Sequence, residues 1–183
     1  MTESGKVHSN FTSIIIASFR ETVKYQSLRN CGGCLKFKTS PFGSFDSYFS
    51  ADVFAVYQGK WIFCRHKERT TWEHPSGWIE EGETPLEAAK RELFEETGAV
   101  DSELEPLCDY SIDGTLNGYH YKGNGQVYLA MVHRLEEIPS YSEMGEIGLF
   151  DSLPEELTYP ILRDYFPIAE ERLRSKTAVK ENL

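Results

Sequence analysis

Long apolar runs are absent from this 183-residue sequence, and no stretch approaches the roughly 20 apolar residues that a membrane-spanning helix requires. The opening MTESGKVHSNFTSIIIASF has one apolar patch, Ile14–Ala17, but neither the longer apolar core nor the cleavage site of a secretory leader, so no signal peptide is read. Cysteine is scarce: Cys31, Cys34, Cys64 and Cys108 are too few, in a chain this long, to frame a disulfide scaffold. These absences imply a cytoplasmic protein. Cys31-Gly32-Gly33-Cys34 lacks the second pair, or the matched histidines, that zinc would need, and it reads as a turn with two incidental thiols. Positive charge is short as well. Nineteen Lys and Arg face 29 Asp and Glu, and the formal net charge of −10 argues against nucleic acid and anionic membranes as partners. A phosphorylated small molecule would be repelled too, unless bound metal ions supplied local positive charge. Internal repeats and low-complexity runs are missing.

What is present suits one domain: 40% of the residues are apolar, enough for a sizeable core. Residues 1–50 read as an N-terminal extension of one or two strands plus irregular structure, part of the same unit. The main domain is expected over 51–176, with 177–183 as a tail. Residues 52–57 and 61–64 flank Gln58-Gly59-Lys60 as a hairpin. A polar loop over 65–71 follows. Strands are expected over 104–112 and 126–135, a long turn or hairpin tip over 113–125, and a short last strand over 148–150. A helical tail from Pro160 to Lys176 should be kinked or divided by Pro167. Strands on both sides of one helix, then a closing helix, imply an α/β fold with a mixed sheet covered by helices.

That inner helix carries the densest acid. Thr84 is a natural N-cap, Pro85 fits the first helical position, Glu87 completes a capping box, and Gly98 fits the left-handed stop, which predicts a helix over Pro85–Thr97. On a helical wheel Glu92, Glu95 and Glu96 share an arc of roughly 100°. Leu86, Ala89 and Leu93 form the adjoining apolar stripe, so the acidic face abuts the buried face rather than opposing it. Like charges at this spacing destabilise a helix, and burial raises the cost. Hard divalent cations such as Mg²⁺ or Mn²⁺, which prefer carboxylate, carbonyl and water oxygens, would offset it. A solvated acidic face is the alternative.

The order of residues around the helix favours the cations. Gly77, five residues, Glu83, seven residues, then Arg91-Glu92-Leu93-Phe94-Glu95-Glu96-Thr97-Gly98-Ala99 resembles the Nudix box, G-x5-E-x7-R-E-U-x-E-E-x-G-U, at every fixed position. A looser likeness runs over 51–166 and leaves the first 50 residues uncovered. The resemblance implies a Nudix α/β/α sandwich around a central mixed β-sheet. It also implies hydrolysis of a nucleoside diphosphate linked to another group, with Mg²⁺ or Mn²⁺. By the same resemblance Glu92, Glu95 and Glu96 are metal carboxylates, Arg91 orients them, and Glu83 supports them. Ser76 would offer its carbonyl to metal, in Pro75-Ser76-Gly77 where the family often has PGG. Tyr141–Phe150 is similar to the family's loop that supplies one more glutamate. Glu143 is the better match, as metal ligand or base, and Glu146 the reserve. The general base is Glu92 or Glu143.

Substrate is less constrained. Gly59–Phe63 and Trp72–Pro75 are similar to the mutator-type branch, which converts ordinary or oxidised nucleoside triphosphates, such as 8-oxo-dGTP, to monophosphate and pyrophosphate. Arg65, Lys67 and Arg69 are candidate phosphate contacts, and equally candidates for keeping their loop soluble. Glu73 and His74 are further substrate candidates, His74 as a stacking ring or a plain loop residue. Trp72 and Tyr128 are possible base platforms or core. ADP-ribose or dinucleoside polyphosphates, and a non-catalytic nucleotide sensor, are the alternatives. The small-molecule nucleotide is the expected partner, and the resemblance makes a homodimer conceivable.

Overall fold

The computed structural model describes residues 35–116 and 119–181. Cys31 and Cys34 lie outside the described residues, as does the apolar patch over 14–17. The strands are β1 (Leu35–Ser40), β2 (Ser50–Tyr57), β3 (Lys60–His66), β4 (Ser76–Trp78), β5 (Ala99–Leu116), β6 (Tyr119–Leu135) and β7 (Met144–Phe150). The helices are α1 (Pro85–Thr97) and α2 (Leu162–Glu181). One sheet runs β1-β5-β6-β2-β3-β7, with β4 clipped to β2. β2 and β6 are parallel, and the other pairs are antiparallel, so the sheet is mixed.

The β2–β3 hairpin forms because Gln58 and Gly59 both take positive φ, 51° and 79°, the turn whose twist matches that of its strands. Alternation along the strands then divides the core. Phe54, Val56, Trp61, Phe63, Val127 and Leu129 face one side and pack against Leu162, Tyr165, Phe166 and Ala169 of α2. Ala51, Val53, Ala55, Ile62, Tyr128 and Ala130 face the other and pack against Ala88, Ala89 and Leu93 of α1. The result is an α/β/α sandwich, and β2, buried on both faces, is its centre.

One expectation is narrowed and two are corrected. Residues 113–125 take the hairpin alternative and not the long turn: β5 runs to Leu116, β6 starts at Tyr119, and the two pair antiparallel. Two of the glycines that suggested a turn seat aromatic rings instead. A Cβ on Gly123 would lie 2.3 Å from Phe49 Cδ1, and one on Gly125 would lie 2.2 Å from Tyr110 Cζ. Nor does Pro167 divide the last helix, which continues past Lys176 to Glu181. The proline stands early in α2, and Leu162, Tyr165, Phe166 and Ala169 bury into one core on either side of it. Finally, Leu86, expected in the buried stripe of α1, is 38% exposed in its first turn. Among the described residues no helix is long and apolar enough to cross a membrane.

Candidate active site

Capping fixes where α1 begins. Thr84 Oγ1 accepts from the Glu87 N–H at 3.3 Å, and Glu87 Oε2 accepts from the Thr84 N–H at 2.8 Å. Such a cap is worth about 1 kcal/mol. At the other end Gly98, at φ 74°, donates its N–H to Phe94 O at 2.8 Å. Packing of Ala88, Ala89 and Leu93 sets the helix's rotation, which turns Glu92 and Glu96 towards β4 and β3.

Arg91 gathers the acids. Its Nε and Nη2 donate to Glu83 Oε1 and Oε2 at 2.7 and 2.9 Å, a bidentate pair, and Nη2 also donates to Trp78 O at 2.9 Å. Nη1 donates to Glu92 Oε1 at 2.6 Å and reaches Glu95 Oε2 at 3.4 Å. Bonding to Arg91 is the main reason Glu83's carboxyl is held below the usual range. Glu92 lies directly on the strand, where a Cβ on Gly77 would fall 1.9 Å from Glu92 Oε1. The box glycine is therefore a seat for the carboxylate.

Glu96 turns inward. Its Oε2 accepts from the Ser76 N–H at 3.0 Å and from Cys64 Sγ at 3.6 Å. Burial, then the charges of Glu92 and Glu73, push its carboxyl well above the usual range. Glu73 is 3% exposed and takes Arg69 Nη1 on both oxygens, at 3.2 and 2.9 Å, yet burial still raises its pKa. Three carboxylates thus crowd one corner, and Arg91 and Arg69 bond to Glu92 and Glu73 but not to Glu96. Their oxygens are the hard donors that Mg²⁺ and Mn²⁺ prefer, so the residue set fits such an ion. Among the described residues, no three His, Cys, Asp or Glu side chains converge closely enough to hold a metal as they stand.

The loop before β7 adds Glu143, whose side chain is 49% exposed. Its carbonyl accepts from the Lys67 N–H at 3.0 Å, and Lys67 Nζ donates to Ser142 O at 2.7 Å. Arg65 pairs with Glu146 and stacks over Trp72, with Cζ 5.0 Å from the ring centroid. The cations expected to reach phosphate are therefore engaged with the protein itself: Arg65 with Glu146, Lys67 with the loop backbone, Arg69 with Glu73.

His74 is corrected outright as a stacking ring. It is 3% exposed and lies on the α2 side of the sheet, its ring 5.3 Å from Phe54. His74 Nε2 lies 3.2 Å from Asp52 Oδ2 and 3.0 Å from Tyr165 Oη, and Tyr165 donates to Asp52 Oδ2 at 3.0 Å. Tyr110 Oη reaches Asp52 Oδ1 at 3.5 Å and Ser50 Oγ at 2.7 Å. Burial, then Asp52, push both phenols well up. Tyr128 is core at 3% exposure, donating to Gln126 Oε1 at 2.6 Å, and Trp72 packs edge-on against Phe150.

Sequence reasoning did not place Glu73 among the helix carboxylates, nor Cys64 and His66 beside them. Alternation from Ile62 along β3 is the signal that would have put both on the α1 side.

Comparison with known proteins agrees with this geometry. The NUDIX domain profile matches residues 48–156. A Bacillus subtilis (strain 168) protein named as an 8-oxo-dGTP diphosphatase, YtkD, is 35% identical over 124 residues, covering 68% of this chain and 74% of that one. An RNA pyrophosphohydrolase of Sulfurovum sp. (strain NBC37-1) is 32% identical over 114 residues, 54% of this chain and 72% of that protein. Among solved structures, a mutant of the Bacillus subtilis pyrophosphohydrolase BsRppH superposes with a TM-score of 0.66 at 25% identity, covering 85% of this chain and 98% of that one. With its box assembled on α1 and more than half its length matched, the chain belongs to the Nudix family.

Proposed function

We propose that this chain hydrolyses the pyrophosphate linkage of a nucleoside triphosphate, ordinary or oxidised as in 8-oxo-dGTP, releasing monophosphate and pyrophosphate. The observation that carries the reading is the seating of Glu92 on Gly77 under Arg91, beside a Glu96 that no Lys or Arg among the described residues bonds. Glu92, Glu95, Glu96 and the Ser76 carbonyl would hold Mg²⁺ or Mn²⁺. When bound, such an ion neutralises phosphate charge and polarises the attacked phosphorus.

The chain's own groups do the rest. Arg91 fixes Glu92 and Glu95 so that their charges stay aimed at one place without reorganising during reaction. Of the two candidate bases, Glu92 already has Oε1 committed to the guanidinium at 2.6 Å. We assign Glu143, whose side chain is 49% exposed on the loop before β7, to take the proton of the attacking water. The relative named for 8-oxo-dGTP supports the nucleotide substrate.

A second reading is a triphosphorylated RNA 5′ end, which presents the same kind of phosphoanhydride. It is favoured by the relatives named RNA pyrophosphohydrolase and opposed by the net charge of −10. The deciding experiment incubates the protein with Mg²⁺ or Mn²⁺ and a panel of nucleoside triphosphates, 8-oxo-dGTP, ADP-ribose, dinucleoside polyphosphates and 5′-triphosphorylated RNA. Monophosphate and pyrophosphate from the free nucleotides support the reading. Turnover restricted to RNA replaces it with the second, and no turnover by folded protein leaves a nucleotide sensor.

A further inference from the structure

We propose that His66 is a positioning residue for Glu143, an inference that rests on Glu143 as the base. The tautomer of His66 is set by its own neighbour. The Glu68 N–H donates to His66 Nδ1 at 3.0 Å, which makes Nδ1 the acceptor. A neutral imidazole then carries its proton on Nε2. That Nε2 faces Glu143 Oε2 at 3.7 Å, with the histidine side chain only 16% exposed. The separation is just beyond a hydrogen bond, and a small rotation of the glutamate closes it, as is common at catalytic contacts before substrate arrives.

The backbone around Glu143 is built to hold this pairing. β3 and β7 pair in register until Arg65 meets Glu146, then shift so that His66 meets Met144, which leaves Gly145 bulged out. A bulge beside a site re-aims the side chains next to it. The Gly145 position cannot comfortably take a side chain, since a Cβ there would lie 3.1 Å from Lys67 Cγ. Lys67 uses that space. Its N–H and its ammonium grip the carbonyls of Glu143 and Ser142 at 3.0 and 2.7 Å. The Ser142 hydroxyl in turn accepts from the Met144 N–H at 3.0 Å. Residues 66–68 thus fix both the backbone that carries Glu143 and the donor that its carboxylate meets. A positively charged Lys67 held this way acts as a clamp on the protein's own loop.

The test is a double-mutant cycle on the full chain, with pyrophosphate release from the best nucleotide of the panel as readout. His66→Ala should lower kcat about tenfold while KM stays within about twofold, the usual scale for losing a group that orients a reacting side chain. His66→Gln, which keeps a donor near the Nε2 position, should recover most of the rate. In a Glu143→Gln background His66→Ala should cost less than about twofold, because the group it orients is already gone. His66→Phe keeps the ring volume without a donor, and stands in for alanine if that variant melts early. Equal losses in both backgrounds, or a Phe variant as fast as wild type, would overturn the proposal. Should Glu143→Gln alone keep the wild-type rate, the base assignment falls first, and this inference with it.

Discussion

Two buried acidic clusters sit back to back across the sheet, and they are solved in opposite ways. On the α2 side Asp52 is surrounded by donors: Tyr165, Tyr110 and His74 all turn to it, and only His74 Nδ1 in that group lacks a partner. On the α1 side Glu96 has a backbone N–H and a thiol, and otherwise faces other carboxylates. A buried carboxylate ringed by hydroxyls is complete in itself. A buried carboxylate ringed by like charge is under tension until something positive arrives. On the function proposed above, the contrast separates an acid that holds the fold from acids that would be kept for a ligand.

The largest effect should come from Glu96→Gln. It should lower kcat at least about a hundredfold, since a residue set to hold the ion loses a member. The apo protein should melt at the same temperature or slightly higher, because a buried charge beside two others is removed. Pyrophosphate release and thermal unfolding measured on the same sample check both halves, and an undiminished rate would end the site assignment. Next is Gly77→Ala. Its methyl must displace Glu92, so kcat should fall about 10- to 100-fold while the fold persists.

Asp52→Ala should invert this pattern. Stripping the acceptor from three buried partners should cost about 3 kcal/mol, or roughly 10 °C in Tm. Activity per folded molecule should stay within about threefold. If it instead kills turnover at full stability, the two clusters are not separate devices.

The smallest effect is on acid stability. Glu83's carboxyl is held low by Arg91, so the pair's contribution is complete above its unfolded pKa of about 4.3 and is lost as pH falls through the folded value. The Tm gap between wild type and Glu83→Gln, about 2 °C near neutrality, should therefore narrow as pH falls below about 4.3. A gap that widens in acid would contradict the assigned partner.

The parts of this molecule that were legible in its sequence are those written in local chemistry. Thr84, Pro85, Glu87 and Gly98 bound α1 at both ends because a cap satisfies groups within one turn. The box spacing brought Glu92 and Glu95 within reach of Arg91 because a helix face fixes their relative direction. Features decided by distant partners were illegible. Gly123 and Gly125 spelled a turn, yet they make room for rings from β5 and from the segment before β2. His74 lies next to Glu73 in sequence, and alternation sent the two to opposite sides of the sheet, one to the core and one to the carboxylates. Nothing within a few residues of His66 announces Glu143, which reaches it through the β3–β7 register.

The parallel pairing of β2 with β6 has a consequence for how this enzyme is born. β4 and α1 lie on the stretch of chain that this pairing must close, so a ribosome releases every box residue well before the strand that completes their platform. Such distant pairing is slow to form. A nascent chain truncated before β6 should therefore display the whole signature and still be catalytically mute.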